Sequence, residues 1–94
     1  MNYGLMIKTL RTGKKETKNN FSNKIGISQT YLSQLEKCKK TPSPQLLERI
    51  ANYIEIPLAI LFWHSITEFD IKEEKRELFK DLKPSIDKLI EVIL

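Results

Sequence analysis

The sequence predicts an all-α fold, and three observations carry that prediction. Apolar residues recur at three- and four-residue spacing along most of the chain, β-branched alternation of period two is missing, and glycine and proline are scarce at three and four residues. The length of 94 residues allows one modest core and leaves no room for a second, catalytic domain. A composition of 40% hydrophobic and 30% charged residues excludes collagen-like, low-complexity and wholly disordered chains. Cys38 and His64 are single representatives of their types, so an intrachain disulfide and a structural zinc site are both ruled out. We expect no metal and no cofactor. The longest apolar run, residues 57–63, is too short to cross a bilayer, and no basic start is followed by an apolar leader. The expected setting is the cytoplasm, without a membrane partner.

Each element has its own signals. Met6, Ile7 and Leu10 lie on one face of a first helix over residues 3–13, which Gly13 and two lysines end. Thr17 caps a second helix with Phe21 and Ile25 inward, where the small Ser22 permits a close helix crossing. Gly26 ends it, because a chain that leaves one helix and starts another within three residues needs a positive φ. Ser28 caps a third helix, residues 29–37, that buries Leu32 and Leu35 and leaves Gln29, Thr30, Ser33 and Gln34 on or near the outer face.

Ser43 caps a fourth helix with Pro44 in its first position, where a missing N–H costs nothing, and Leu46, Leu47, Ile50, Ala51 and Ile54 inward. Pro57 begins a short fifth helix with Leu58, Leu61 and Phe62, and residues 65–67 break the chain. Residues 68–83 read as a charged helix with an apolar strip of Phe69, Ile71, Leu78, Phe79 and Leu82. Pro84 disfavours α geometry at Lys83, ends that helix and opens a last one with Ile86, Leu89, Ile90 and Ile93 on one face.

The charge is unevenly placed. Residues 1–40 hold nine bases against two acids, a net of +7, whereas residues 65–94 hold six bases against eight acids, a net of −2. Two short helices joined by a glycine turn, the second with a polar outer face and lysines around it, form a helix-turn-helix arrangement. Such a helix fits the DNA major groove, its amides and hydroxyls can reach base edges, and the lysines can neutralise phosphates.

At these residues the sequence resembles the lambda-repressor-like (Cro/repressor, Xre-type) helix-turn-helix family. The resemblance rests on Ile7-Lys8-Thr9-Leu10-Arg11, Phe21-Ser22-Asn23-Lys24-Ile25-Gly26-Ile27-Ser28, Tyr31-Leu32-Ser33-Gln34-Leu35-Glu36-Lys37, Pro42-Ser43 and Leu46-Leu47-Glu48-Arg49-Ile50-Ala51, and it spans residues 5–62. It implies a five-helix DNA-binding domain over residues 1–66, with base contacts from Gln29, Thr30, Tyr31 and Gln34. It further implies phosphate contacts from Lys18, Asn19, Ser28, Ser33, Lys37, Lys39 and Lys40, and a structural ion pair between Arg11 and Glu36. Three positions depart from the family pattern. Lys18 stands in place of glutamine, Ser22 in place of alanine, and Cys38 in place of the glycine after the third helix.

Residues 67–94 extend beyond the family core as a helical tail. Its strip of Leu78, Phe79, Leu82, Ile86, Leu89, Ile90 and Ile93 is a large apolar face for a lone helix pair, and it is expected to pair two copies of the chain. The function implied is sequence-specific binding of double-stranded DNA by a homodimeric transcriptional repressor. The competing reading is a protein-interaction module or antitoxin-type regulator whose tail accepts a partner or antagonist protein. No nucleophile, base and orienting group stand in a recognisable pattern, so the chain does not read as an enzyme.

Overall fold

The computed structural model describes residues 1–93. The chain forms α1 (Tyr3–Gly13), α2 (Lys18–Ile25), α3 (Gln29–Glu36), α4 (Pro44–Ile54) and α5 (Leu58–Ser65). Two single 3₁₀ turns, Glu68–Asp70 and Glu73–Lys75, lead into α6 (Arg76–Ile93). The described residues contain no strand, as the apolar spacing predicts. Backbone proximity divides the chain into one compact unit, Asn2–Ser65, and a second formed by Met1 and the chain from Ile66 onward.

Local chemistry sets both ends of the first four helices. The three predicted caps are in place: Thr17 accepts from the Asn20 amide at 3.1 Å, Ser28 from Tyr31 at 3.0 Å and Ser43 from Leu46 at 3.1 Å. Asn2 caps α1 in the same way, accepting from the Leu5 amide at 2.9 Å. At the other ends, one type of closure repeats four times. The amides of Glu16, Ile27, Lys39 and Ile56 donate back to the carbonyls of Arg11, Ser22, Gln34 and Ala51 at 3.2, 3.0, 2.9 and 3.0 Å. Each closure places one residue in left-handed geometry: Gly26 at φ 74° as expected, but also Lys15 at 58°, Cys38 at 60° and Glu55 at 59°. A Cβ in that region costs on the order of 1 kcal/mol, which the surrounding packing must offset.

The core of the first unit joins all five helices. Met6 and Ile7 from α1, Phe21 and Ile25 from α2, Leu32 and Leu35 from α3, and Leu61 from α5 meet the five apolar residues predicted for α4. The Phe21 and Tyr53 rings cross edge to face with centroids 5.8 Å apart. The small Ser22 is buried beside Phe21, where the sequence places a close crossing. Gly4 marks an even closer approach. A Cβ there would lie 2.6 Å from the Leu35 carbonyl oxygen and 2.9 Å from that of Glu36, so the first turn of α1 rests directly on the backbone at the end of α3.

The second unit departs from the expected two helices. Residues 68–75 do not continue a helix, because Ile71 and Lys72 take extended backbone angles between the two 3₁₀ turns. The side chain of Asp70 turns back to the Thr67 amide at 2.8 Å and hydroxyl at 3.2 Å, closing the first turn on itself. Arg76 Nε donates to the carbonyls of Glu68 and Ile71, both at 3.1 Å, and its guanidinium lies 5.5 Å from the Phe69 ring centroid.

Pro84 neither ends one helix nor opens another, and lies inside α6. It is exposed, so water can satisfy the carbonyl that a proline leaves without its helical donor. The apolar spacing runs on across it through Leu82, Ile86, Leu89 and Ile93, and Lys83 reaches over it to Asp87 at 3.1 Å.

Candidate nucleic-acid interface

The turn from Gly26 to Ser28 connects α2 to α3, and the burial of Leu32 and Leu35 fixes which face of α3 looks outward. Gln29 and Thr30 are exposed at its N-terminal end, while Tyr31, Ser33 and Gln34 are half-buried. Tyr31 also packs against the core cluster, so it serves the fold while staying only half-buried. The outer face of α3 is thus built of amides and hydroxyls without a formal charge, a surface that can donate and accept at once.

Cations flank this face on two sides. Lys18, the first residue of α2, donates from Nζ to Ser33 Oγ at 3.4 Å, and Asn19 beside it is exposed. Beyond the far end of α3 stand Lys37, Lys39 and Lys40, all exposed. Ser28 is exposed as well, and with its oxygen engaged by the Tyr31 amide its hydroxyl proton is left to donate outward. The fold therefore gathers all eleven residues expected at a DNA surface onto α2, the capping residue Ser28, α3 and the segment after α3.

Arg11 and Glu36 meet beneath that surface. Arg11 Nε donates to Glu36 Oε2 at 2.7 Å and Nη2 to Oε1 at 3.0 Å, a two-pronged pair whose side chains are only 10% and 3% exposed. The bond to Glu36 raises the Arg11 pKa above its ordinary value, and burial acts against it. The remaining nitrogen, Nη1, donates to the Glu16 carbonyl at 2.8 Å.

Several tertiary contacts around this surface had no signal in the sequence. Tyr53 donates its hydroxyl to Glu16 Oε1, and this bond raises the phenol pKa. Cys38 Sγ donates to the capping oxygen of Asn2 at 3.3 Å. Arg49 Nη1 stands 3.0 Å from where a Cβ on Gly26 would lie, but it is the end of a flexible side chain, so the positive φ is what requires glycine at the turn. A polar pair more than thirty residues apart leaves no periodicity to read. No group of three metal-ligating side chains is assembled among the described residues. None of the helices described is long and apolar enough to cross a membrane.

A helix-turn-helix family profile matches residues 7–61, the segment from mid-α1 into α5. The chain belongs to the lambda-repressor-like helix-turn-helix family. Over 71 residues it is 35% identical to the ImmF control region 10 kDa protein of Bacillus phage phi105, covering 76% of each chain. Over 97 aligned positions it is 28% identical to the Immunity repressor protein of the same phage, covering 90% of this chain and 67% of the relative. No solved structure matches at a significant level. Family and relatives point to a non-enzymatic DNA-binding transcription regulator.

In this helix-turn-helix protein the tail face expected to pair two copies divides into two flanks. Leu78, Leu82, Ile86, Leu89 and Ile93 are exposed, Leu89 at 62%, whereas Phe79 and Ile90 are half-buried. Val92, at 82%, extends the exposed strip beyond the residues expected there.

Proposed function

We propose that this protein is a cytoplasmic transcriptional repressor that binds a specific double-stranded DNA site as a homodimer, with residues 1–66 reading DNA and residues 67–94 pairing the copies. The observation that carries the reading is the uncharged amide and hydroxyl face of α3 set between Lys18 and the Lys37, Lys39 and Lys40 cluster. An α-helix with such a face enters the major groove, where Gln29 and Gln34 match the donor and acceptor pair of adenine, and Thr30 and Tyr31 reach neighbouring base edges. Lys18, Asn19, Ser28, Ser33, Lys37, Lys39 and Lys40 hold the phosphates on either side and fix the register.

Pairing through the exposed strip of α6 supplies the second recognition helix, so two half-sites lie about 34 Å apart or a multiple of it. Likeness to a phage immunity repressor supports repression by occluding a promoter.

Fluorescence anisotropy tests the reading, with a random duplex and the chain's own upstream DNA titrated at 50 and 200 mM salt. Tight, salt-dependent binding that prefers the upstream DNA is expected. Gln29→Ala and Gln34→Ala should each lower the preference by about 1–3 kcal/mol without changing the salt slope. The exposed apolar strip of α6 favours one other reading, a regulator whose tail takes a protein partner. In that case the chain stays monomeric, and binding to neither duplex survives as a specific activity.

A further inference from the structure

Glu16, in the loop between α1 and α2, is held at three points. Its amide donates to the Arg11 carbonyl at 3.2 Å, its carbonyl accepts from Arg11 Nη1 at 2.8 Å, and its carboxylate accepts from the Tyr53 hydroxyl on α4. The other carboxylate oxygen, Oε2, is buried and finds no partner among the described residues. A buried oxygen without a donor is costly, so the loop keeps this carboxylate inward only because Tyr53 holds it there. The next residue is Thr17, the cap of α2, and the one after it is Lys18. Through Arg11 the same assembly continues to Glu36, the last residue of α3.

We infer that the Tyr53–Glu16 hydrogen bond is a latch that positions the N-terminus of α2, and with it Lys18, for a DNA phosphate; Tyr53 and Glu16 are positioning residues that never touch DNA. The inference rests on the DNA-binding reading above. Its physical content is that of a tether. Without the hydroxyl, neither oxygen of a buried carboxylate has a donor, and the charge leaves for water. Glu16 is two residues from Lys18, so its departure leaves the approach to the Thr17 cap and the first turn of α2 tethered only by the backbone bonds to Arg11, and frees Lys18 from its set position while α3 stays on its own core contacts. Tyr53→Phe keeps the ring against Phe21 and removes only the hydroxyl.

The test is a double-mutant cycle on the full chain, read by anisotropy with the preferred duplex between 50 and 200 mM salt. In the wild-type background Lys18→Met removes one phosphate contact from each copy of the homodimer, so it should lower the salt slope by about 1.8, shrinking the ratio of affinities at the two salt concentrations about 12-fold. Tyr53→Phe should lower the slope by the same amount, and adding Lys18→Met to it should change nothing more. Glu16→Ala should behave like Tyr53→Phe and serves in its place if that variant folds poorly. Glu16→Gln, which still accepts from Tyr53, should keep the wild-type slope.

A merely structural role lowers the fraction of active protein and leaves the slope and the Lys18 effect intact. That result in both Tyr53→Phe and Glu16→Ala overturns the latch. Absence of any Lys18 effect in the wild type overturns instead the assignment of Lys18 to a phosphate, and the latch falls with it.

Discussion

Replacing Glu36 with alanine removes the carboxylate from a buried, two-pronged pair and leaves the Arg11 guanidinium, in a residue only 8% exposed, with the Glu16 carbonyl as its remaining protein acceptor. Breaking such a pair from one side costs about 3–5 kcal/mol, chiefly because a buried charge is left without compensation. Domains of this size shift by about 4–8 °C for each kcal/mol, so the midpoint should fall by at least about 12 °C. Urea denaturation at constant m-value gives the same difference isothermally, provided the variant remains folded in water. In Arg11→Met/Glu36→Leu both charges are gone and apolar side chains occupy their place, so most of the lost stability should return. A single variant within about 1 kcal/mol of wild type, or a double variant that loses at least as much as the single, would refute the view that the penalty lies in the stranded charge.

Other perturbations probe different parts of the first unit. Gly4→Ala sets a methyl against two backbone carbonyls that cannot swing aside, and should destabilise by about 1–3 kcal/mol in thermal melts. Cys38→Gly relieves a left-handed residue and should raise the midpoint, by roughly 0.5–1 kcal/mol in stability; a lower midpoint would mean that the thiol's bond to Asn2 outweighs the strain. The Tyr53 phenol, raised by its bond to Glu16, should ionise above the ordinary tyrosine range in an ultraviolet titration, and Glu16→Ala should bring it back down. Because the folded-state value is the higher one, this bond contributes stability fully below the unfolded phenol's pKa, and the contribution is lost as pH rises through the folded value.

What the sequence made legible was local or periodic. Thr17, Ser28 and Ser43 announce the starts of α2, α3 and α4 because a cap bonds to an amide three residues on, and Gly26 announces a turn because its geometry excludes a Cβ. The core faces of α1 to α4 follow from the three-to-four spacing of their apolar residues. The polar face of α3 was found as what that spacing leaves over. Signals failed where a tertiary partner decided the outcome. Left-handed Lys15 and Glu55 carry no residue-type mark, and the Glu16–Tyr53 bond joins positions with no common period. Pro84 misled because the penalty it carries is real, yet an exposed position lets water meet the freed carbonyl while the apolar strip runs past it. Around residues 68–75 the Arg76 side chain takes the carbonyls a helix would have used, a competition that charge patterning alone does not reveal.

The contact at Gly4 has a consequence for how new specificities arise. Where two helices meet through interlocking side chains, every substitution in the core re-tilts one against the other. Here α1 and the end of α3 abut backbone to backbone, so the seat of α3 is a hard stop that drift among the neighbouring apolar residues hardly moves. Exchanges at Gln29, Thr30 and Gln34 can then be tried one at a time on a fixed mount. On the DNA-binding reading proposed above, the outer face of α3 is free to be rewritten for another site while the rest of the domain keeps its sequence.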